Sequence, residues 1–276
     1  MNKSKTILIT GCSSGIGYDT AHYLHNHGYK VFASARKEED VQRLKTEGLE
    51  AYLLDVTKPE TIKKSLDSIL EETGGELYAV FNNAGYGQPG AVEDIPTEVL
   101  KEQFETNLFG LHEMTRQIIP IMRKQGYGRI IQHSSVLGLI SLRFRGAYNA
   151  SKYAIEGLCD TLRLELMDDD IHVVTINTGP VRSDFRKNAT QKFYEHIHKK
   201  PTVFEKEYEQ ELIPHEEVKK KDPFTRDSDV VISNIIKSLE TTKPKPRYYN
   251  TSATHFLGTL KRILPTAVLD KILLKI

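Results

Sequence analysis

Cysteine is nearly absent: Cys12 and Cys159 are the only two in 276 residues. A pair so separated has no metal-ligand spacing and cannot found a disulfide framework. Net charge is also missing, at +1 with histidine neutral, so no global field draws the chain to nucleic acid or other polyanions. There is no run of 18 or more apolar residues, the minimum for a membrane-spanning helix. The opening residues Met1 to Thr6 enter an apolar segment at once, without the core of a signal peptide. These absences point to a reducing cytoplasm and to no nucleic-acid partner. No Pro/Gly/Ser-rich linker divides the chain, and hydrophobic residues at 39% with charged residues at 27% suit one soluble α/β domain over residues 1–276.

What is present alternates. Lys5 to Thr10 is a short apolar run ending at glycine, the pattern of a buried parallel strand. Gly11-Cys-Ser-Ser-Gly15-Ile-Gly17 follows, then a helical pattern from Tyr18 to His27. Strand, glycine turn and helix in that order suit a pyrophosphate, because glycines permit close backbone approach and a helix start presents free N–H groups. An ordinary glycine-rich turn remains the alternative for this segment taken alone. A second strand, Tyr29 to Ser34, runs into Arg36, 19 residues past Gly17. An acidic residue there would bind the ribose of NAD, whereas a guanidinium grips the 2′-phosphate of NADP. The first acids come later, at Glu38 and Glu39, so NADP(H) is favoured over NAD(H).

Further strands are expected at Glu50–Leu54, ending in Asp55-Val56, and at Leu77–Phe81, running into Asn82-Asn-Ala-Gly85. Small residues at a strand's carboxyl end let a ligand lie against the backbone. A long helix from Thr97 to Lys124 is interrupted by Asn107, an indifferent helix former. Strands at Arg129–His133 and Ile171–Ile176, with a short one at Arg247–Tyr249, complete about seven. A Rossmann-type doubly wound parallel sheet with helices on both faces is therefore expected.

Tyr148 and Lys152 lie four residues apart on the helix that runs on to Asp168, so they share one face. A cation beside a phenol favours the phenolate and lowers its pKa. Such pairs also cover ordinary helix surface, and the pair alone decides nothing. Ser135 stands thirteen residues upstream of the tyrosine, at the end of a strand.

Residues 184–226 show no clean periodicity and interleave Phe185, Phe193, Tyr194, Phe204 and Tyr208. A stretch this long without regular structure suggests a substrate lid. The tail, residues 254–276, sets Phe256, Leu257, Leu260, Ile263, Leu264, Ala267 and Val268 along one stripe, broken near Pro265, among basic residues. Such a tail can fold back as a lid or dimer contact, or rest peripherally on a membrane.

Thr10-Gly-Cys-Ser-Ser-Gly-Ile-Gly17, Asn82-Asn-Ala-Gly85, Asn107, Ser135, Tyr148-x-x-x-Lys152 and Gly179-Pro-Val-x-Ser183 stand in one order and spacing over two thirds of the chain. In these the chain resembles the NAD(P)-dependent short-chain dehydrogenase/reductase family. Within it, the glycine motif and the end of the second strand look most like members acting on retinoids, 17β-hydroxysteroids and aliphatic aldehydes. The resemblance implies that Tyr148 exchanges a proton with a carbonyl or alcohol oxygen, Ser135 polarises that oxygen, and Lys152 tunes the tyrosine and holds the nicotinamide ribose. It gives Asn107 a water linking Lys152 to solvent. For the cofactor it implies Gly11, Gly15, Ile16 and Gly17 at the pyrophosphate, and Ser13, Ser14 and Arg36 at the 2′-phosphate. Asp55 and Val56 would meet the adenine, Asn83, Ala84 and Gly85 the ribose and backbone, and Val181 and Ser183 the nicotinamide. The family's usual Pro-Gly after the sixth strand is Thr178-Gly179 here. The resemblance implies a small hydrophobic substrate and a homodimer or homotetramer paired through the two long helices. An alternative is a non-catalytic NADP(H)-sensing protein of the same fold.

Overall fold

A computed structural model describes residues 5–198, 201–212 and 225–276. Seven strands form one sheet: β1 (Thr6–Ile9), β2 (Lys30–Ala35), β3 (Glu50–Leu53), β4 (Ala79–Asn82), β5 (Gly128–Ser135), β6 (Ile171–Thr178) and β7 (Arg247–Tyr249). All neighbours pair parallel, in the order β3-β2-β1-β4-β5-β6-β7. The chain winds outward from β1 to β3, then returns to β4 on the other side. Ligands of open α/β sheets bind where the order reverses in this way, at the carboxyl ends of the strands.

Side chains alternate across each strand, and β1 shows how the two layers are built. Ile7 and Ile9 face one core, with Ala21 and Leu24 of α1 (Gly15–Asn26), Val41 and Leu44 of α2 (Glu38–Thr46), and Val231 and Ile235 from a later helix. Leu8 faces the other core, with Ile62 and Leu66 of α3 (Pro59–Thr73) and with residues 111–118 and 155–159. Helices on both faces explain why the central strands are apolar without interruption. Cys12 and Cys159 are buried in these layers as free thiols.

The sequence pattern missed α2. It has only Val41 and Leu44 buried, too narrow a stripe to show a period. Its acidic first turn and basic last turn match the helix dipole instead. The long helix expected from Thr97 is three pieces: α4 (Thr97–Phe104), a π-helical turn at Glu105–Phe109, and α5 (Gly110–Gln125). The wide turn carries Asn107, and such turns arise where one extra residue is fitted into a helix. α6 (Gly146–Glu165) stops three residues short of Asp168.

Residues 184–226 are not without regular structure, contrary to their sequence pattern. α7 (Phe185–His196) and α8 (Glu205–Glu211) lie within them, while 199–200 and 213–224 fall outside the described residues. Phe193, Ile197, Tyr208 and Leu212 pack with Ala91 and Phe144 into a small core of their own. The Tyr208 hydroxyl donates to Asp94 and accepts from the Ala91 N–H. With Phe204 packed against this core, Phe193, Phe204 and Tyr208, three of the five aromatics in this stretch, hold the segment together. α9 (Asp229–Glu240) follows, and buried Arg129 donates to the carbonyls of Ser238, Thr241 and Thr242 at its end. The guanidinium thereby satisfies carbonyls that a helix end leaves without partners.

The tail is α10 (Ser252–Ile263) and α11 (Thr266–Leu273), parted at Pro265 as expected. Its stripe is not buried as one face. Of its members Leu257 is covered, while Phe256, Ile263 and Val268 stand exposed; outside the stripe Leu269 is covered and Leu274 exposed. Among the described residues no helix is long and apolar enough to cross a membrane.

Candidate active site

The glycine turn after β1 is fixed by the β4 loop. Thr10 Oγ1 accepts from the N–H groups of Asn83 and Ala84, both at 3.0 Å. Asn83 Nδ2 returns bonds to the carbonyls of Thr10 at 2.9 Å and Gly11 at 3.1 Å. These contacts leave no room for side chains. A Cβ on Gly17 would lie 2.4 Å from Asn83 Nδ2, and one on Gly11 would lie 2.9 Å from Ala84 Cα at φ +72°. α1 begins at Gly15, earlier than the sequence pattern suggested, and Ser14 before it is extended and makes no side-chain cap. The first N–H groups of α1 thus have no intrahelical partner and point out of the helix start. A bare cradle of this shape, at the strand-order reversal, fits a dinucleotide pyrophosphate.

The other sequence candidates surround it. Arg36 is exposed just past β2. Arg43 of α2, which the sequence reading did not single out, donates to the Ser13 carbonyl at 2.5 Å. Asp55 Oδ1 accepts from the Thr57 N–H and hydroxyl, and Val56 is buried against Gly110. Val181 packs on the core beneath the turn, and Ser183 lies close enough that a Cβ on Gly15 would meet its Cβ at 3.2 Å. Residues separated by up to 172 positions (183 against 11) thus converge on one edge of the sheet.

Beyond the cradle, Ser135 ends β5 and Tyr148 and Lys152 lie on one face of α6, all three buried. Ser135 Oγ accepts from the Leu137 N–H at 3.1 Å and donates to the Thr178 carbonyl at 3.3 Å. The Lys152 ammonium sits 5.5 Å from the centre of the Tyr148 ring and donates to the His133 carbonyl at 2.6 Å. Asn107 turns its side chain to the Tyr86 backbone, accepting at 3.0 Å and donating at 2.9 Å, and donates to Ser151 Oγ at 3.2 Å. Ser151 in turn donates to the Tyr148 carbonyl. Both Asn107 amide protons are thereby engaged, so this side chain braces α6 and has none left for a water.

Electrostatics here differ from the expectation of a phenol lowered by its lysine. Burial pushes Tyr148 up to about 12, with a hydrogen bond to Ser135 drawing it back. Burial pushes Lys152 down to about 8 against the opposing pull of Glu156. Desolvation penalises whichever form is charged, and for both groups it is the largest cause of the shift. Glu156, one turn on from Lys152, is itself held. It accepts from Asn177 Nδ2 at 2.7 Å and Arg247 Nε at 2.8 Å, and Arg247 also forks onto Asp160. A phenol that keeps its proton, a hydroxyl beside it and a titratable ammonium behind it can deliver a proton to a bound oxygen. Phe185 covers the phenol, its ring 5.3 Å from that of Tyr148. A cavity of about 560 Å³ lies elsewhere, among Val92, Leu142, Phe144, Asn149, Tyr153 and Lys261, and includes neither Ser135 nor Tyr148.

Residues 5–193 match the family model described as short chain dehydrogenase. The chain belongs to the short-chain dehydrogenase family. It is similar over nearly its whole length to an uncharacterized oxidoreductase, YbbO, of Escherichia coli (strain K12), at 39% identity over 98% of this chain and 94% of that one. Retinol dehydrogenase 8 of Bos taurus is 34% identical over 66% of this chain and 60% of its own. Among solved structures, a short-chain dehydrogenase from Streptomyces avermitilis superposes with a TM-score of 0.78 at 26% identity, covering 99% of this chain and 94% of that one. As a short-chain dehydrogenase the chain is an NAD(P)-dependent oxidoreductase.

Lys152 gives this site a pH signature. Its folded-state pKa lies below the ordinary 10.5, at about 8, so the folded state holds fewer protons than the unfolded one between those values. The burial penalty is full below pH 8 and is relieved as the pH rises toward 10.5. Stability relative to Lys152→Met should therefore rise across that window by on the order of 2–3 kcal/mol. Urea unfolding at pH 7.5 and pH 10 checks this, and parallel changes in the two proteins would rule it out.

Proposed function

We propose that this short-chain dehydrogenase uses NADP(H) to interconvert a hydrophobic carbonyl compound and its alcohol, with carbonyl reduction the favoured direction at neutral pH. The observation that carries the reading is the buried group of Ser135, Tyr148 and Lys152 beside the nucleotide cradle. The cofactor supplies the hydride, and the chain's own residues supply position and a proton. Ser135 Oγ donates to the substrate oxygen and stabilises charge that builds there. Tyr148 Oη gives its proton to the same oxygen as general acid. A phenol held near 12 is fully protonated at pH 7, which suits reduction. Alcohol oxidation needs the phenolate and gains as the pH rises. Lys152 below its pKa of about 8 is the cation that favours that phenolate once a ligand brings the groups into line. A water serving Lys152 would rest on the Asn107 main chain, because the side-chain protons are engaged.

Hydrophobic substrates are supported by Phe185 over the phenol and by similarity to a retinol dehydrogenase. The NADP(H) preference is supported by two guanidinium groups: Arg43, which donates to the Ser13 carbonyl, and Arg36, exposed just past the carboxyl end of β2. The exposed Phe256, Ile263, Val268 and Leu274 alternate with Lys261, Arg262, Lys271 and Lys275, against the single acid Asp270. This face suits an anionic lipid surface, from which a hydrophobic substrate would enter.

Tyr148→Phe should lose at least about a thousandfold in kcat while binding NADPH as tightly as the parent. Turnover that survives would remove Tyr148 from the proton-transfer step. Arg36→Ala should weaken NADPH binding about tenfold or more and leave NADH nearly unchanged; equal losses for the two would remove Arg36 from the 2′-phosphate. With phosphatidylserine-rich vesicles, the full chain should cosediment and a chain ending at residue 253 should stay in the supernatant. Equal distribution of the two would place the tail elsewhere.

A further inference from the structure

The carbonyl of His133 receives the Lys152 ammonium, and the side chain of the same residue ties together the ends of three strands. Its ring stands 5.6 Å from Phe81 and bridges to both sides of β5. Nδ1 lies 2.9 Å from Asn83 Oδ1 on the β4 side, and Nε2 lies 3.0 Å from Thr178 Oγ1 on the β6 side. The proton positions follow from the neighbours. Asn83 Nδ2 is already directed at the carbonyls of Thr10 and Gly11, so Asn83 presents an acceptor to the ring, and Nδ1 must carry the hydrogen. Nε2 is then an acceptor for the Thr178 hydroxyl. That hydroxyl accepts from Asn250 Nδ2 at 3.0 Å, and Asn250 Oδ1 accepts from Asn234 Nδ2 at 2.6 Å. Every bond points the same way, from α9 through β6 and β5 to the glycine turn. Burial and the Lys152 ammonium, the charged group that faces it, push the imidazole down to about 3.

We propose that His133 is a positioning residue: its neutral ring, fixed as the Nδ1–H tautomer, locks the nucleotide-binding turn to the Thr178 end of β6 and so sets the carbonyl on which Lys152 rests. The threonine after Asn177 has a purpose in this arrangement that a residue without a hydroxyl could not serve. Removing His133 leaves the Thr178 hydroxyl proton buried without its acceptor, and removing Thr178 leaves Nε2 buried without its donor, so the two positions are energetically coupled. The proposal rests on the reading of Lys152 as part of the proton-delivery group, yet its main tests need no turnover.

Nitrogen-15 NMR of the parent protein should show His133 with Nδ1 protonated and Nε2 bare, unchanged between pH 8 and pH 5. A ring that titrates in that range, or carries its proton on Nε2, overturns the proposal. In a cycle of His133→Leu, Thr178→Val and the double variant, each single change should raise the dissociation constants for NADPH and NADH by about tenfold, and the double variant by no more than the worse single. His133→Gln, which can bridge the same two partners, should return affinity to within about threefold of the parent at equal folded fraction. Additive losses, or loss of melting temperature with cofactor affinity intact, would reduce His133 to a packing residue. A Tyr148→Phe variant that retains turnover would sink the catalytic reading while leaving the tautomer and coupling results standing.

Discussion

Burial of the Lys152 ammonium is the constraint around which this structure is arranged. An isolated cation in a protein interior is costly enough that it either loses its proton or acquires partners. Here both effects are visible. The pKa falls to about 8, and the charge that remains is met by the His133 carbonyl and by Glu156 one turn away. Glu156 is buried too, so it needs Asn177 and Arg247 in turn. One charge thus recruits β5, β6 and β7 in succession. The last strand of the sheet, only three residues long, supplies the guanidinium that makes the arrangement affordable.

The same constraint explains what the sequence could and could not reveal. The strands were legible because central parallel strands are apolar throughout, as Ile7, Leu8 and Ile9 show. The glycine turn was legible because Gly11 and Gly17 answer contacts of under 3 Å that no other residue tolerates. Tyr148 and Lys152 were legible as helix neighbours, but their chemistry was not. Four-residue spacing puts a cation near a phenol, yet gives no measure of burial, and burial reverses the expected shift of the phenol. His133 was illegible for a related reason. Its partners, Asn83, Thr178 and Lys152, come from three separate parts of the chain, and only the strand order makes them neighbours.

Local pattern also misled where tertiary packing decides structure. α2 has two buried residues and forms because charge and dipole agree. α7 and α8 are dense in charge, and their order comes from an aromatic cluster closed through Ala91, Asp94 and Phe144. Phe144 holds a left-handed backbone, φ 57°, two residues before α6, a conformation that costs a bulky residue about 1 kcal/mol or more. Its ring meets Phe204 and Tyr208 edge-on at 5.3 and 5.1 Å. The packing of the segment over the site and the start of the helix that carries Tyr148 are therefore one structural unit.

Arg247 stands 91 positions beyond the Glu156 it holds. On a chain emerging from its amino terminus, sequence distance becomes order of arrival. The glycine turn, β2 and the Asn83 loop can close on one another once the first third is made. The counter-charge that steadies the lysine's neighbour comes only with β7. The glycine turn and the group that steadies the buried cation are thus separated in time, and the two are joined only when the later strands arrive.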